Sequence, residues 1–153
     1  MKTFLIFLIL TVIFQACGEK NAFSRFKLSQ EQELSLNSLQ SSKLKNGVEV
    51  NGVVSAVYLN DGDPQRFTNG EFFYIFMYVK DKSFPLTFTL NGKKPIYSVK
   101  ELTCDNEFTQ LTAVNTKWNR YFIVTFQQQG DILNFQVTNG QFKSDVLRFE
   151  KDE

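Results

Sequence analysis

Along most of this chain, apolar and polar residues alternate over short runs. Phe84, Leu86, Phe88 and Leu90 alternate with Thr87 and Thr89, and Leu133, Phe135 and Val137 alternate with Asn134, Gln136 and Thr138. A period of two puts one side of a strand in the core and the other in water. Residues 72–79 (Phe-Phe-Tyr-Ile-Phe-Met-Tyr-Val) show no alternation, which predicts a central strand covered on both faces. Trp118, Phe122, Val124 and Phe126 share one parity, with Tyr121 and Ile123 on the other. Runs rich in β-branched and aromatic residues predict strands over 53–59, 71–80, 86–90, 96–102, 118–127, 132–138 and 141–149. Residues 29–45 read either as a short helix, with Ser29 and Gln32 as a capping box, or as an irregular strand.

The punctuation between these runs is mostly Asn-Gly, at 46–47, 51–52, 69–70, 91–92 and 139–140, with Asp-Gly at 61–62. Both dipeptides suit the positive φ angles of a type I′ hairpin turn. Short strands, frequent turns and no long helix predict an all-β fold, an antiparallel immunoglobulin-like β-sandwich of about seven strands. A small closed barrel is the second expectation. Trp118 on a central strand resembles the core tryptophan of the immunoglobulin fold, although the inter-sheet cysteine pair of that fold is missing.

The N-terminus follows a different pattern. Met1-Lys2-Thr3 is followed by an apolar run from Phe4 to Phe14, interrupted only by Thr11, and then by Gln15-Ala16-Cys17-Gly18. The run is too short for a spanning helix, which needs about 20 apolar residues, and has the form of an export signal. Phe14-Gln15-Ala16-Cys17 resembles the lipobox of bacterial lipoproteins, with Ala16 and Cys17 on either side of the cut made by signal peptidase II. The resemblance covers the signal alone. It implies a mature chain that begins at Cys17 and is held to a membrane by diacylglycerol and N-acyl chains on that cysteine. Gly18 stands where aspartate retains many such proteins at the inner membrane, so the resemblance implies an outer-membrane destination. The expected organisation is a signal peptide over 1–16, a lipidated N-terminus and tether over 17–45, and a β-sandwich domain over 46–153. The domain bears a weaker resemblance to small immunoglobulin-like envelope lipoproteins.

Composition then narrows the chemistry. Lys2 is the only charged residue of the signal, so of 17 basic and 16 acidic residues the mature chain keeps equal numbers. No basic field recruits nucleic acid. The chain has no histidine, which removes Ser-His-Asp triads, Cys-His dyads and imidazole ligands. With two cysteines in all, lipidation of Cys17 leaves Cys104 unpaired and expected to be buried and inert; without lipidation, a Cys17–Cys104 disulfide is the alternative. No enzyme motif, metal site or cofactor loop is visible, the covalent lipid apart.

Several constellations invite a functional reading. Asn60-Asp61-Gly62-Asp63-Pro64 opens like a calcium loop but continues as Gln65-Arg66-Phe67, so a polar turn is expected. Asp105, Glu107, Glu150, Asp152 and Glu153 read as solvated charge, and Lys80, Lys82, Lys93 and Lys94 as loop charges. Tyr58, Tyr97 and Tyr121 are the candidate partner-binding residues, since tyrosine is enriched at interface hot spots. The expected function is a membrane-anchored, non-enzymatic binding or structural module with a protein partner in the envelope or host. The alternative is a lipid carrier or assembly factor holding an apolar ligand between its sheets, for which a large Phe-lined cavity is the signature.

Overall fold

The computed structural model describes residues 38–97 and 99–151; the expected signal over 1–16, Cys17, the expected Ser29–Gln32 capping box and the expected tether as far as residue 37 lie outside the described residues. Nine strands follow one another: β1 (Leu39–Asn46), β2 (Glu49–Tyr58), β3 (Glu71–Val79), β4 (Leu86–Leu90), β5 (Lys100–Leu102), β6 (Arg120–Phe126), β7 (Ile132–Asn139), β8 (Phe142–Lys143) and β9 (Leu147–Glu150). One-turn helices α1 (Leu59–Gly62) and α2 (Thr109–Thr112) lie in the β2–β3 and β5–β6 connections. All pairings are antiparallel, in the order β4-β7-β8-β1-β2-β3-β6-β5, with β9 also on β7.

The sheet is one continuous surface curled into a half-barrel, where two separate sheets were expected. The short β8 makes the difference: Lys143 pairs with Lys45 of β1 and with Thr138 of β7. Ser144 then interrupts the strand while keeping the pairing. Its N–H donates to Val137 O, and its Oγ accepts from Val137 N–H in place of a carbonyl.

β3 is buried on both faces, and parity divides its side chains between two clusters. Phe73, Ile75, Met77 and Val79 join the concave core. Tyr74 and Phe76 pack on the convex side, where Phe108, Leu111 and Val114 of the long β5–β6 connection cover them. The concave core is dense with rings, with Phe73 4.9 Å from Phe135, 5.3 Å from Phe149 and 5.2 Å from Tyr58, centroid to centroid. Such contacts add to burial of area, by about 0.5–1.5 kcal/mol per pair. Tyr121 at the start of β6 anchors the cover on the convex side. Its hydroxyl donates to Thr116 O at 2.9 Å and accepts from Thr116 N–H at 2.8 Å.

Several expectations are corrected. Of the helix and strand alternatives for residues 29–45, the described part from Leu39 is strand, with Leu44 fully buried in the core. The strand expected over 96–102 shortens to Lys100–Leu102. Trp118 lies outside β6 and is 75% exposed, so it is no core tryptophan.

The five Asn-Gly pairs play different parts. Only Asn91-Gly92 has positive φ at both residues of a two-residue loop, as a type I′ turn requires. At 46–47 and 139–140 the asparagine ends its strand and only the glycine turns left-handed. Asn69-Gly70 leads into β3, with positive φ at the asparagine. Asn51-Gly52 lies inside β2, where Leu44 faces Gly52 and Lys45 faces Val50, so that Asn51 is bulged. A Cβ at Gly52 would sit 2.1 Å from Tyr78 O of the neighbouring strand. Close backbone approach, with no turn involved, is what requires glycine there.

Candidate functional site

The three candidate tyrosines separate once burial is known. Tyr58 is 2% exposed and Tyr121 1% exposed, so neither presents a surface to a partner; Tyr97 is 70% exposed. Parity along β2 and β6 left inward and outward positions open: Tyr58 lies in the concave core, and Tyr121 lies on the convex side beneath the β5–β6 connection.

Tyr58 belongs to a buried polar node at one end of the half-barrel. It donates to Glu71 Oε2 at 2.5 Å, while Glu71 Oε1 accepts from Gln129 N–H at 2.7 Å and Lys151 Nζ at 2.8 Å. Glu71 is 1% exposed. Burial, then the bond to the Glu71 carboxylate, pushes the Tyr58 phenol far above its ordinary range. Lys151 also donates to Gln129 O. Tyr58, Gln129 N–H and Lys151 each donate to an acceptor inside the node, which ties Lys151, beyond β9, to β3.

The acidic loop is likewise committed internally. Asp63 Oδ1 accepts from Arg66 N–H, and Asn60 spans the loop by donating to Phe67 O and Gly70 O and accepting from Phe72 N–H. Among the described residues no three metal-ligating side chains gather. Glu107 binds Arg66 at 2.7 Å, which holds its carboxyl below the usual range. Cys104 is a free thiol, half-buried against the convex cluster. A shallow open groove of about 590 Å³ lies on the outer face of β4 and β7, lined by Thr89, Asn91, Gly92, Asn134, Gln136 and Val146. The Asn91 amide there is committed to Ile132 O and Asn134 N–H.

The feature with open chemistry is the seam between the two ends of the sheet, β4 and β5. Gly140 N–H bonds Pro85 O and Asn91 N–H bonds Asn134 O. With the register Thr87↔Thr138 and Thr89↔Gln136, odd-numbered residues of β4 face β7. Leu86, Phe88 and Leu90 therefore direct their N–H and C=O groups away from it. Leu90 exchanges both bonds with Lys93 at 2.9 Å, which closes the seam at that end. Extending that register places Pro95 opposite Phe88. Proline has no N–H to donate, so the hairpin stops after one bridge. The next amide, Ile96 N–H, donates instead to Thr125 O of β6 at 3.1 Å. Leu86 and Phe88 are left without backbone partners on the seam side among the described residues.

The other wall is β5, where Thr125 O bonding Ile96 sets the phase and Lys100 and Leu102 face β6. Glu101 then turns its backbone groups to the seam. Its side chain takes a two-pronged bond from Arg120, both distances 2.8 Å, and the Arg120 guanidinium lies 5.0 Å over the Phe122 ring. Phe122 meets Phe88 at 5.4 Å, giving the seam an apolar floor. Sequence reading missed this site, although Pro95 two residues after Lys93 was its visible signal.

Comparison with known protein families, curated proteins and solved structures finds no match to this chain.

Proposed function

We propose that this chain is a lipid-anchored envelope lipoprotein acting as a non-enzymatic binding module, attached through Cys17 and directed to the outer membrane. The observation that carries the reading is Phe14-Gln15-Ala16-Cys17 at the end of a short apolar run behind Lys2. One acyl chain holds a protein only marginally, at about 0.8 kcal/mol per buried CH2, whereas two or three hold it stably. The absence of histidine from the sequence supports a non-enzymatic role.

The interior bears on the choice between module and lipid carrier. Phe73, Phe126, Phe135 and Phe149 contact one another across the concave core, which favours the module because an apolar ligand would have to displace packed rings. An immunoglobulin-like kinship is part of the proposal. β4-β7-β9 and β1-β2-β3-β6-β5 read as two layers around one core, and the Tyr121–Thr116 bonds have the form of a tyrosine corner.

Replacing Cys17 with Ser tests the anchor. The variant is expected in the soluble fraction with its fold intact, and the wild type is expected to carry acyl mass on its N-terminal peptide. A variant that stays on the membrane, or a wild type without acyl mass, sinks the reading.

A further inference from the structure

We propose that the seam between β4 and β5 is a strand-acceptor site, in which an extended peptide bearing acidic residues pairs with the backbone of Leu86 and Phe88. This rests on the binding-module reading and names the partner's chemistry. Main-chain pairing at an open sheet edge is a general mode of peptide recognition. The seam-side N–H and C=O groups of half-buried Leu86 and of Phe88, itself 3% exposed, are unpaired among the described residues, because Pro95 prevents the following segment from taking them. Glu101 offers a second unpaired edge across the seam, and the floor between them is the Phe88–Phe122 contact.

Charge selects the occupant. Lys82, Lys93 and Lys94 stand exposed around the seam, and Lys82 lies close enough to Glu101 for Coulombic attraction. Of the acidic groups there, Glu101 is held by Arg120, and Asp81 accepts from the N–H and Oγ of Ser83. The rim is thus left with a positive excess, which attracts a strand carrying carboxylates. Edge lysines also discourage pairing between two copies of the same edge, since like charges would meet.

Amide hydrogen exchange on the full-length protein in detergent tests the site. The probe is a synthetic strand-length peptide alternating valine and threonine, with glutamates at both ends. In the free protein, Leu86 and Phe88 amides are expected to exchange faster than those of Thr87 and Thr89. The peptide is expected to slow the first pair at least about tenfold. A lysine-ended version should act more weakly, and a version N-methylated at alternate amides should not act.

Pro95→Val restores the missing donor. It is expected to slow Leu86 and Phe88 exchange without peptide and to abolish the response to it. Leu86→Pro, which removes a seam donor and no β7 bond, is expected to weaken peptide protection of Phe88 while leaving thermal unfolding cooperative. Equal protection of all four amides in the free protein overturns the proposal, as does an absent response to the glutamate-ended peptide or equal response to the N-methylated one. Protection that rises with protein concentration alone assigns the edge to a second copy and also overturns it. A negative result with Cys17-dependent anchoring intact removes the seam site and leaves the anchored module standing.

Discussion

Tyr58 and Glu71, thirteen residues apart in sequence, share a 2.5 Å hydrogen bond inside the folded core, with the phenol donating to the carboxylate. Tyr58 ends β2 and Glu71 begins β3, and Lys151 reaches the same carboxylate from beyond β9. The pair therefore ties three segments together at one end of the half-barrel. Tyr58→Phe removes the donor and leaves Glu71 Oε2 buried without a replacement. The expected loss is about 1–3 kcal/mol, read as a lowered midpoint in denaturant unfolding. An unchanged midpoint would show that the bond contributes nothing.

The same carboxylate predicts a larger effect from its ionic partner. Lys151→Met removes the ammonium 2.8 Å from Glu71 Oε1 and leaves a charge in a buried site. Breaking such a pair costs about 3–5 kcal/mol, reduced here because the Lys151 side chain is 23% exposed. Thermal unfolding of Lys151→Met beside Glu71→Gln/Lys151→Met checks this. The double variant should recover part of the loss, since the unpaired charge is gone.

Tyr74 presents the opposite case. It is fully buried and its hydroxyl has no hydrogen-bond partner among the described residues; the nearby Asn106 amide is already bound to Thr103 O and Phe108 N–H. Tyr74→Phe is therefore expected to be neutral or stabilising by up to about 1 kcal/mol near pH 7. Burial pushes the phenol up to about 12 from its ordinary 10.0. The native state thus holds its proton more tightly than the unfolded chain does. The resulting stability is complete below about pH 10 and is lost as pH rises through about 12. A pH series of urea unfolding should show wild type falling faster than Tyr74→Phe across that window; parallel curves would refute it.

Gly52→Ala tests the close approach of β2 to β3. The added Cβ meets Tyr78 O at 2.1 Å and Val79 Cα at 3.0 Å, both backbone atoms, so no side chain can swing aside. A cost at or beyond the upper end of about 1–3 kcal/mol is expected, with loss of exchange protection along the Gly52↔Val79 end of the ladder. Gly47→Ala, with open space around its Cβ but φ of +59°, should lose less. The reverse ranking would refute the argument from close approach.

Local periodicity carried far in this chain. Alternation placed β4 and β7, and the unbroken 72–79 run marked the strand covered on both faces, because burial of one or two faces is written directly into side-chain order. An Asn-Gly pair, by contrast, states only that positive φ is permitted. Whether it becomes a I′ turn, as at 91–92, or a bulged strand interior, as at 51–52, depends on which backbone lies alongside. The burial of Tyr58 and Tyr121 was equally illegible, since the curl that encloses Tyr58 arises from pairing between β8, β1 and β7, and Tyr121 is covered by the folded β5–β6 connection.

The sequence by itself determined an antiparallel β domain and its alternating faces, and it carries the Phe14-Gln15-Ala16-Cys17 segment on which the proposed anchor rests, all of them matters of neighbouring residues. Tertiary structure alone decided that the sheet curls as one surface, that Glu71 sits at a buried junction and that the edge at Leu86 and Phe88 lacks backbone partners among the described residues. Each of these depends on contacts between residues distant along the chain. The unpaired edge shows both levels at once. Pro95 is visible in the sequence as a missing donor, but only the register Leu90↔Lys93 shows which groups it leaves unpaired.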